Sequence, residues 1–282
     1  MPGSANRRRR RRSWIRTCVG VLLVAIMLFP LYWMINASLQ TNAQIALPSP
    51  HWVPFGGTFD GYRDALSLGS GHLATSLVVA TGTTLLTLLV AAPGAYAIAV
   101  LRARGAQPVV LFLLVAQLIP GIVMANALYR IFRPLGLLNS VQGLILADST
   151  LAVPFAALIL GAFMASIPRE LIEASTMDGS GRLRTLISIV LPLSRNALIT
   201  TGLFAFLFAW GDFLFASTLN LGAENATPIS VALYNFIGAG VNTTSWNSVM
   251  ATAVLASAPA AVLLVVAQRY IAAGVTSGGV KD

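Results

Sequence analysis

Charge is scarce in this chain. Nine acidic and eighteen basic residues make up 10% of its 282 positions, against roughly 25% in soluble domains. With 56% hydrophobic residues and a mean hydropathy of +0.79, a soluble globular domain is excluded and a membrane protein with several spans is indicated. Cysteine occurs once, at Cys18, which rules out an internal disulfide and a cysteine metal site. The two histidines, His51 and His72, fall in or beside one long loop and read as surface residues. No HExxH pair, no GxSxG nucleophile turn and no GxxxxGK[ST] phosphate loop occurs. The residues therefore point to no catalytic group, no metal ligand set and no cofactor on this chain. A net charge of +9 in a soluble protein would suggest nucleic acid. Here Arg7 to Arg12 form one run ahead of the first apolar stretch and the rest is scattered, so the expected partner is the bilayer and not nucleic acid.

What the chain has is long apolar runs, near residues 14–36, 73–101, 108–130, 141–165, 197–220 and 246–271. Each is near or above the roughly 20 residues that span a hydrocarbon core. The expected fold class is all-α, a polytopic membrane protein with six transmembrane helices. The first run, with its arginines, looks like a signal peptide. It is too long, contains Pro30 and lacks a small-x-small cleavage site, so it reads as a retained anchor. Orientation follows from the basic residues, which concentrate on the cytoplasmic side. With the N-terminus inside, fifteen lie inside: Arg7 to Arg12, Arg16, Arg102, Arg104, Arg169, Arg182, Arg184, Arg195, Arg269 and Lys281. Three, Arg63, Arg130 and Arg133, lie outside. Both termini are then cytoplasmic. The expected organisation is a basic N-terminus (1–13), a transmembrane domain (14–271) with a cytoplasmic loop at 166–195, and a C-terminal tail (272–282). Two long external loops, 37–72 and 221–245, either contact a solute-delivering protein or only join helices at headgroup level, where Trp52 and Trp246 are favoured anyway.

The cytoplasmic loop carries the most specific pattern. Pro168 and Glu170 suit a helix start, Gly179 suits a helix stop, and Ser180 can cap a second helix running toward Pro192. Leu171, Ala174 and Ser175 share one face, and Glu170, Glu173 and Met177 another. Glu173-Ala174-Ser175, three residues, Gly179, nine residues, Ile189, one residue, then Leu191-Pro192 closely resembles the EAA loop of ATP-binding-cassette importer permeases, with Ser175 in place of the second Ala. In that family the loop docks into a cleft on the ATPase subunit. The resemblance implies coupling roles for Glu170, Glu173, Ala174, Ser175, Asp178, Gly179, Ile189, Leu191 and Pro192. It leaves Asp178 with Arg182 or Arg184 to fix the turn or to meet charges on the partner.

Further segments are similar to the carbohydrate-uptake class, resembling the maltose-type second permease: Ser38-Leu39-Gln40 with Gln44-Ile45 and Tyr62, then Leu135-Gly136-Leu137-Leu138-Asn139-Ser140 with Gly143-Leu144-Ile145-Leu146, and Trp210-Gly211-Asp212-Phe213, where the family usually has Asn for Gly211. The resemblance implies a subunit of an ATP-driven importer for a sugar or related solute. Its partners would be a second homologous permease, two ATPase subunits that hold ATP and Mg, and an external solute-binding lipoprotein. Alternatives are an importer of another solute, such as glycerol phosphate or a peptide, and a stand-alone secondary transporter. The last would show inverted repeats with paired broken helices, which the sequence does not display. The tail, through Thr276, Ser277 and Gly278, either reaches between the ATPase subunits, as the resemblance implies, or is a frayed end. Within the spans the acids are Asp148 and Asp212, which with Trp210, Phe213, Phe206 and Asn126 could line a sugar path. Gln117 and Tyr129 are weaker candidates for it. The bland alternative is a hydrogen bond to a neighbouring helix. Ala91, Ala95 and Ala99 form a small-residue face for helix packing.

Overall fold

The structure is a computed structural model that describes residues 3–220, 222, 226–238 and 245–279. It is helical, with no strand among the described residues. The helices are α1 (Gly3–Ser38), α2 (Asn42–Ile45), α3 (Asp60–Ala99), α4 (Ala106–Ala116), α5 (Gly121–Phe132), α6 (Val141–Ala165), α7 (Arg169–Met177), α8 (Arg182–Thr185), a π-turn (Leu186–Val190), α9 (Leu191–Leu193), α10 (Arg195–Trp210), α11 (Leu214–Leu219), α12 (Ile229–Gly238) and α13 (Trp246–Gly279).

Four of these are long and apolar enough to cross a membrane: Trp14–Ser38, Gly69–Ala99, Val141–Ala165 and Trp246–Gln268. The expected spans 108–130 and 197–220 are not continuous helices. Ala106–Ala116 and Gly121–Phe132 meet at 102°, and Arg182–Leu193 meets Arg195–Trp210 at 81°, so the number of spans is four to six. The first break is explained by Pro120, which pushes Ile119 out of the helical region and cannot donate to the preceding turn. At the other end of α10, Gly211 and Asp212 stop the helix, and α11 starts afresh. Helix α1 runs through Arg7 to Arg12 without a boundary at 13, and α13 continues past 271 to Gly279. Lys281 lies outside the described residues.

The chain divides into two compact units. One holds residues 1–68 and 236–255. There the 37–59 segment is tied down locally. Asn36 Nδ2 and Gln40 Nε2 both donate to the His51 carbonyl at 2.8 Å, and Tyr32 donates to the Trp52 carbonyl. Thr41 and Gln44 form a capping box around α2, and Asn42 Oδ1 accepts the Asn247 N–H at 3.2 Å. From Trp14 to Phe29 the large apolar side chains of α1 are exposed.

The other unit holds residues 69–235 and 256–282. Its core is small-residue packing of the kind membrane helices use, where side chains without Cγ atoms let backbones approach. Ala91 and Ala95 of α3 pack with Ala156 and Leu160 of α6, Val190 of the π-turn and Ala197 of α10. A second cluster joins Val79, Ala125, Leu144, Phe215 and Leu219. A third joins Ala80, Phe206, Trp210 and Ile229, with Ala256 and Ala260 of α13 against it. His72, expected at the surface, is half-buried and bonds the Thr227 carbonyl through Nδ1 at 2.8 Å.

Candidate functional site

The segment 166–195 folds as helix, glycine turn, helix. Pro168 precedes α7, where a missing N–H costs nothing. The helix ends in a paired backbone closure: Ser180 N–H reaches the Ser175 carbonyl and Gly179 N–H the Thr176 carbonyl, both at 3.0 Å. That is the Schellman arrangement, which demands a left-handed residue between, and Gly179 has φ +77°. Ser180 does not cap the second helix. Its backbone is already committed to closing α7, and the N-cap of α8 is Gly181, without a side-chain bond.

One side of α7 is anchored. Ser175 is buried and its hydroxyl lies 2.9 Å from the Thr185 hydroxyl. Ile172 packs on the cluster formed by α3, α6 and α10. The other side is open: Glu170, Leu171, Glu173, Ala174, Met177 and Asp178 are exposed. The small pair at 174–175 therefore splits, Ser175 to its own bundle and Ala174 outward with the two glutamates. Leu171, Ala174 and Ser175 were expected to share one face; of the three, Ser175 is buried and Leu171 and Ala174 are exposed. Downstream, Ile189 falls in the π-turn and Leu191 packs against the same core cluster, while Pro192 is exposed. Among the described residues the one ion pair is Arg63–Asp60, so Asp178, Arg182 and Arg184 do not fix the turn by salt bridges; backbone bonds do. Arg182 does lie within electrostatic reach of Tyr96 on α3. Thr185 was missed by sequence reasoning, since nothing in its neighbours marks it as the partner of Ser175. A recess of about 220 Å³ beside α7 is lined by Arg102, Met164, Arg169, Ile172 and Glu173, among others. The arrangement offers a fixed outward face with three carboxylates, suited to contact.

Most of the residues considered for a solute path have local partners. Trp210 is buried, stacks on Phe206 at 5.7 Å and donates Nε1 to the Ala256 carbonyl at 3.0 Å, which makes both rings part of the core. Phe213 packs edge-on against Tyr234 at 5.2 Å. Asn126 is exposed and bonds the Ile122 carbonyl of its own helix. Asp148 is 1% exposed, with Oδ1 unpartnered, and the Asp212 carboxylate acts on it electrostatically. Asp212 accepts the Phe215 and Ala216 N–H groups at 3.2 and 2.9 Å, so it caps α11. As a cap it is expected to contribute about 1 kcal/mol. Asp212→Ala should lower the amount of folded protein severalfold, and Asp212→Asn should restore most of it. Full yield of Asp212→Ala, with uptake lost, would show that the carboxylate serves the solute instead. Thr276, Ser277 and Gly278 lie in the last turns of α13.

Residues 89–277, from the second half of α3 through α13, match the family model of the binding-protein-dependent transport system inner membrane component. The chain is similar to the sulfoquinovosyl glycerol transport system permease protein SmoH of Agrobacterium fabrum, at 33% identity over 95% of this chain and 93% of that protein. It is 30% identical to the diacetylchitobiose uptake system permease protein DasC of Streptomyces coelicolor, over 96% and 97% of the two chains. With the trehalose/maltose transport system permease protein MalG of Thermococcus litoralis it shares 31% identity, over 93% and 95%. Its fold resembles a chain of a bacterial ABC transporter involved in the import of the acidic polysaccharide alginate, with a TM-score of 0.80 at 21% identity, covering 93% of this chain and 96% of that one. This chain belongs to the family of inner-membrane components of binding-protein-dependent transport systems, and is a multi-pass permease subunit of an ABC importer.

Proposed function

We infer that the chain forms half of the translocation path of an importer for a sugar or sugar-like solute, and that residues 166–195 couple it to an ATPase. One observation carries the coupling role. Helix α7 has a fixed end at Gly179 and one side anchored through Ile172 and Ser175 to the core that unites α3, α6 and α10, while Glu170, Glu173 and Ala174 stay outward. A force on that outward face is passed to packed helices and not absorbed by a loose loop. ATP and Mg sit on two separate ATPase subunits. When ATP draws those subunits together, α7 moves with them and the helices rock as a body. A second, homologous permease completes the path, and an external solute-binding lipoprotein delivers the solute. The sugar class is supported by the names of relatives that transport sulfoquinovosyl glycerol, diacetylchitobiose and trehalose or maltose. The last turns of α13, at Thr276, Ser277 and Gly278, contact the ATPase pair in this reading.

Orientation is tested directly. With Cys18 replaced by Ser, a cysteine at Ser180 should react with a membrane-impermeant maleimide in inside-out vesicles and not in sealed cells. Labelling from outside would overturn both the cytoplasmic loop and the six-span arrangement with cytoplasmic termini. Function is tested by purifying the chain with its neighbours and adding solute-loaded binding protein, which should stimulate ATP hydrolysis.

A further inference from the structure

A cavity of about 300 Å³ lies among α4, the Leu118–Pro120 break, α6 and α10. Phe155, Phe204 and Phe208 form its aromatic walls, with Gln117 and Thr201 as the polar groups among its lining. Phe155 and Phe204 meet edge to face at 5.9 Å. Thr201 is 1% exposed and its hydroxyl has no partner. Thr200 and Thr84 donate to the carbonyls four residues back at 2.8 and 2.7 Å, the usual way a helix satisfies a hydroxyl in an apolar setting, while Thr201, like Thr83 and Thr87 of α3, does not. A buried hydroxyl left without a partner is costly, and a site that keeps one calls for a reason. Gln117 Nε2 is held by the Leu151 carbonyl at 3.2 Å, which fixes the amide at the cavity.

The backbone beside the cavity is a second pointer. It stops being helical at Leu118 to Pro120, and these residues are exposed on this chain. Within a bilayer, irregular backbone is found where protein covers it or where it lines a wet cavity. Three phenyl walls with an amide and a hydroxyl suit an occupant that offers both apolar faces and hydrogen-bonding groups. A sugar ring does so, with C–H faces against the phenyl rings and hydroxyls toward Thr201 and Gln117. None of the residues that line the cavity is charged, so a sulfonate or carboxylate would be desolvated without a counter-charge. We propose that this cavity is a subsite for one ring of a neutral saccharide in transit, a reading that rests on the chain being half of a sugar path. Asp212 and Trp210 are then scaffold, and Thr201, Gln117 and Phe204 contact the solute.

The test uses the complete importer, with its ATPases and binding protein, in proteoliposomes. The neutral probes are radiolabelled maltose, trehalose and diacetylchitobiose; the anionic ones are sulfoquinovosyl glycerol and glucuronate. Wild type should carry a neutral probe. Thr201→Val keeps the shape and removes a hydroxyl that bonds nothing in the protein, so assembled yield should be unchanged or improved while uptake falls about fivefold. Phe204→Leu, which keeps an apolar wall and loses the aromatic face, should do the same. Wild-type uptake in both variants, whether the cavity is empty or holds a lipid chain, overturns the subsite and leaves the importer reading standing. A wild-type importer that carries the anionic probes alone overturns the neutral class. One that carries no saccharide overturns the sugar reading itself, and the subsite with it.

Discussion

Gly179→Val should abolish uptake while the helices still insert. The position holds φ +77°, where a non-glycine residue costs roughly 1–2 kcal/mol and a β-branched one more. Nothing lies within 4 Å of a Cβ built there, so the penalty is one of backbone conformation and not of packing. The chain would relieve it by giving up the two closing bonds to Ser175 and Thr176, each worth about 1 kcal/mol. Helix α7 would then fray from its C-terminal end, and Glu173 and Ala174 would lose their fixed bearing. Since 1.4 kcal/mol is about a factor of ten, uptake and ATPase co-purification should both fall by tenfold or more. A series separates the cause: Asn, which tolerates the left-handed region, should retain most activity, Ala should lie between, and Val should be lowest. Glu173→Lys should lose the ATPase with α7 intact, because it alters only the outward face. Equal loss in Asn and Val would mean that glycine is needed for a reason other than its backbone. Uptake at the wild-type rate in both Gly179→Val and Glu173→Lys would mean that the loop does not couple.

Gly143→Ala should fail earlier, at folding. A Cβ at Gly143 would overlap the Leu137 carbonyl oxygen, a backbone atom that cannot swing aside, and would press on Ser140 Oγ. That serine is the N-cap of α6: it accepts the Gly143 N–H at 3.0 Å and donates to the Leu137 carbonyl at 2.7 Å. One methyl group thus disrupts the cap and shifts the turn that places Leu144 and Ala147 in the second core cluster. Ser140→Ala, which deletes the cap without a clash, should cost about 1 kcal/mol. Gly143→Ala should cost several times as much, read as near-complete loss of assembled protein after detergent extraction. Yield equal to that of Ser140→Ala would show that the turn yields easily.

Composition and periodicity made the helical membrane class plain, and four spans were readable within a few residues. The breaks were not read, although Pro120-Gly121 and Gly211-Asp212 stand in the sequence. A run that is apolar from end to end gives hydropathy no reason to fall where the helix turns, so only local chemistry marks the bend. The helix, glycine turn and helix at 166–195 were legible for the opposite reason: the pattern is local, and Gly179 holds the positive φ that such a helix stop demands. Long-range partners left no trace. Nothing near Trp210 announces Ala256, nothing near Ser175 announces Thr185, and an acid in an apolar run reads the same whether it meets a solute or caps α11, as Asp212 does. The cavity at Thr201 was hidden likewise, since a threonine with a helical partner and one without are the same letter.

Helix α1 sets the order of biogenesis. Among the described residues the three core clusters are built from residue 73 onward. Helix α1 precedes all of these residues in the chain and leaves the ribosome before them. At about 5–20 residues per second, the chain between α1 and α10 takes on the order of ten seconds or more to emerge. Through that interval α1 can already lie in the bilayer, because its insertion waits for no other helix. It tethers a nascent chain whose core does not yet exist, and keeps apolar segments near lipid while they await their neighbours.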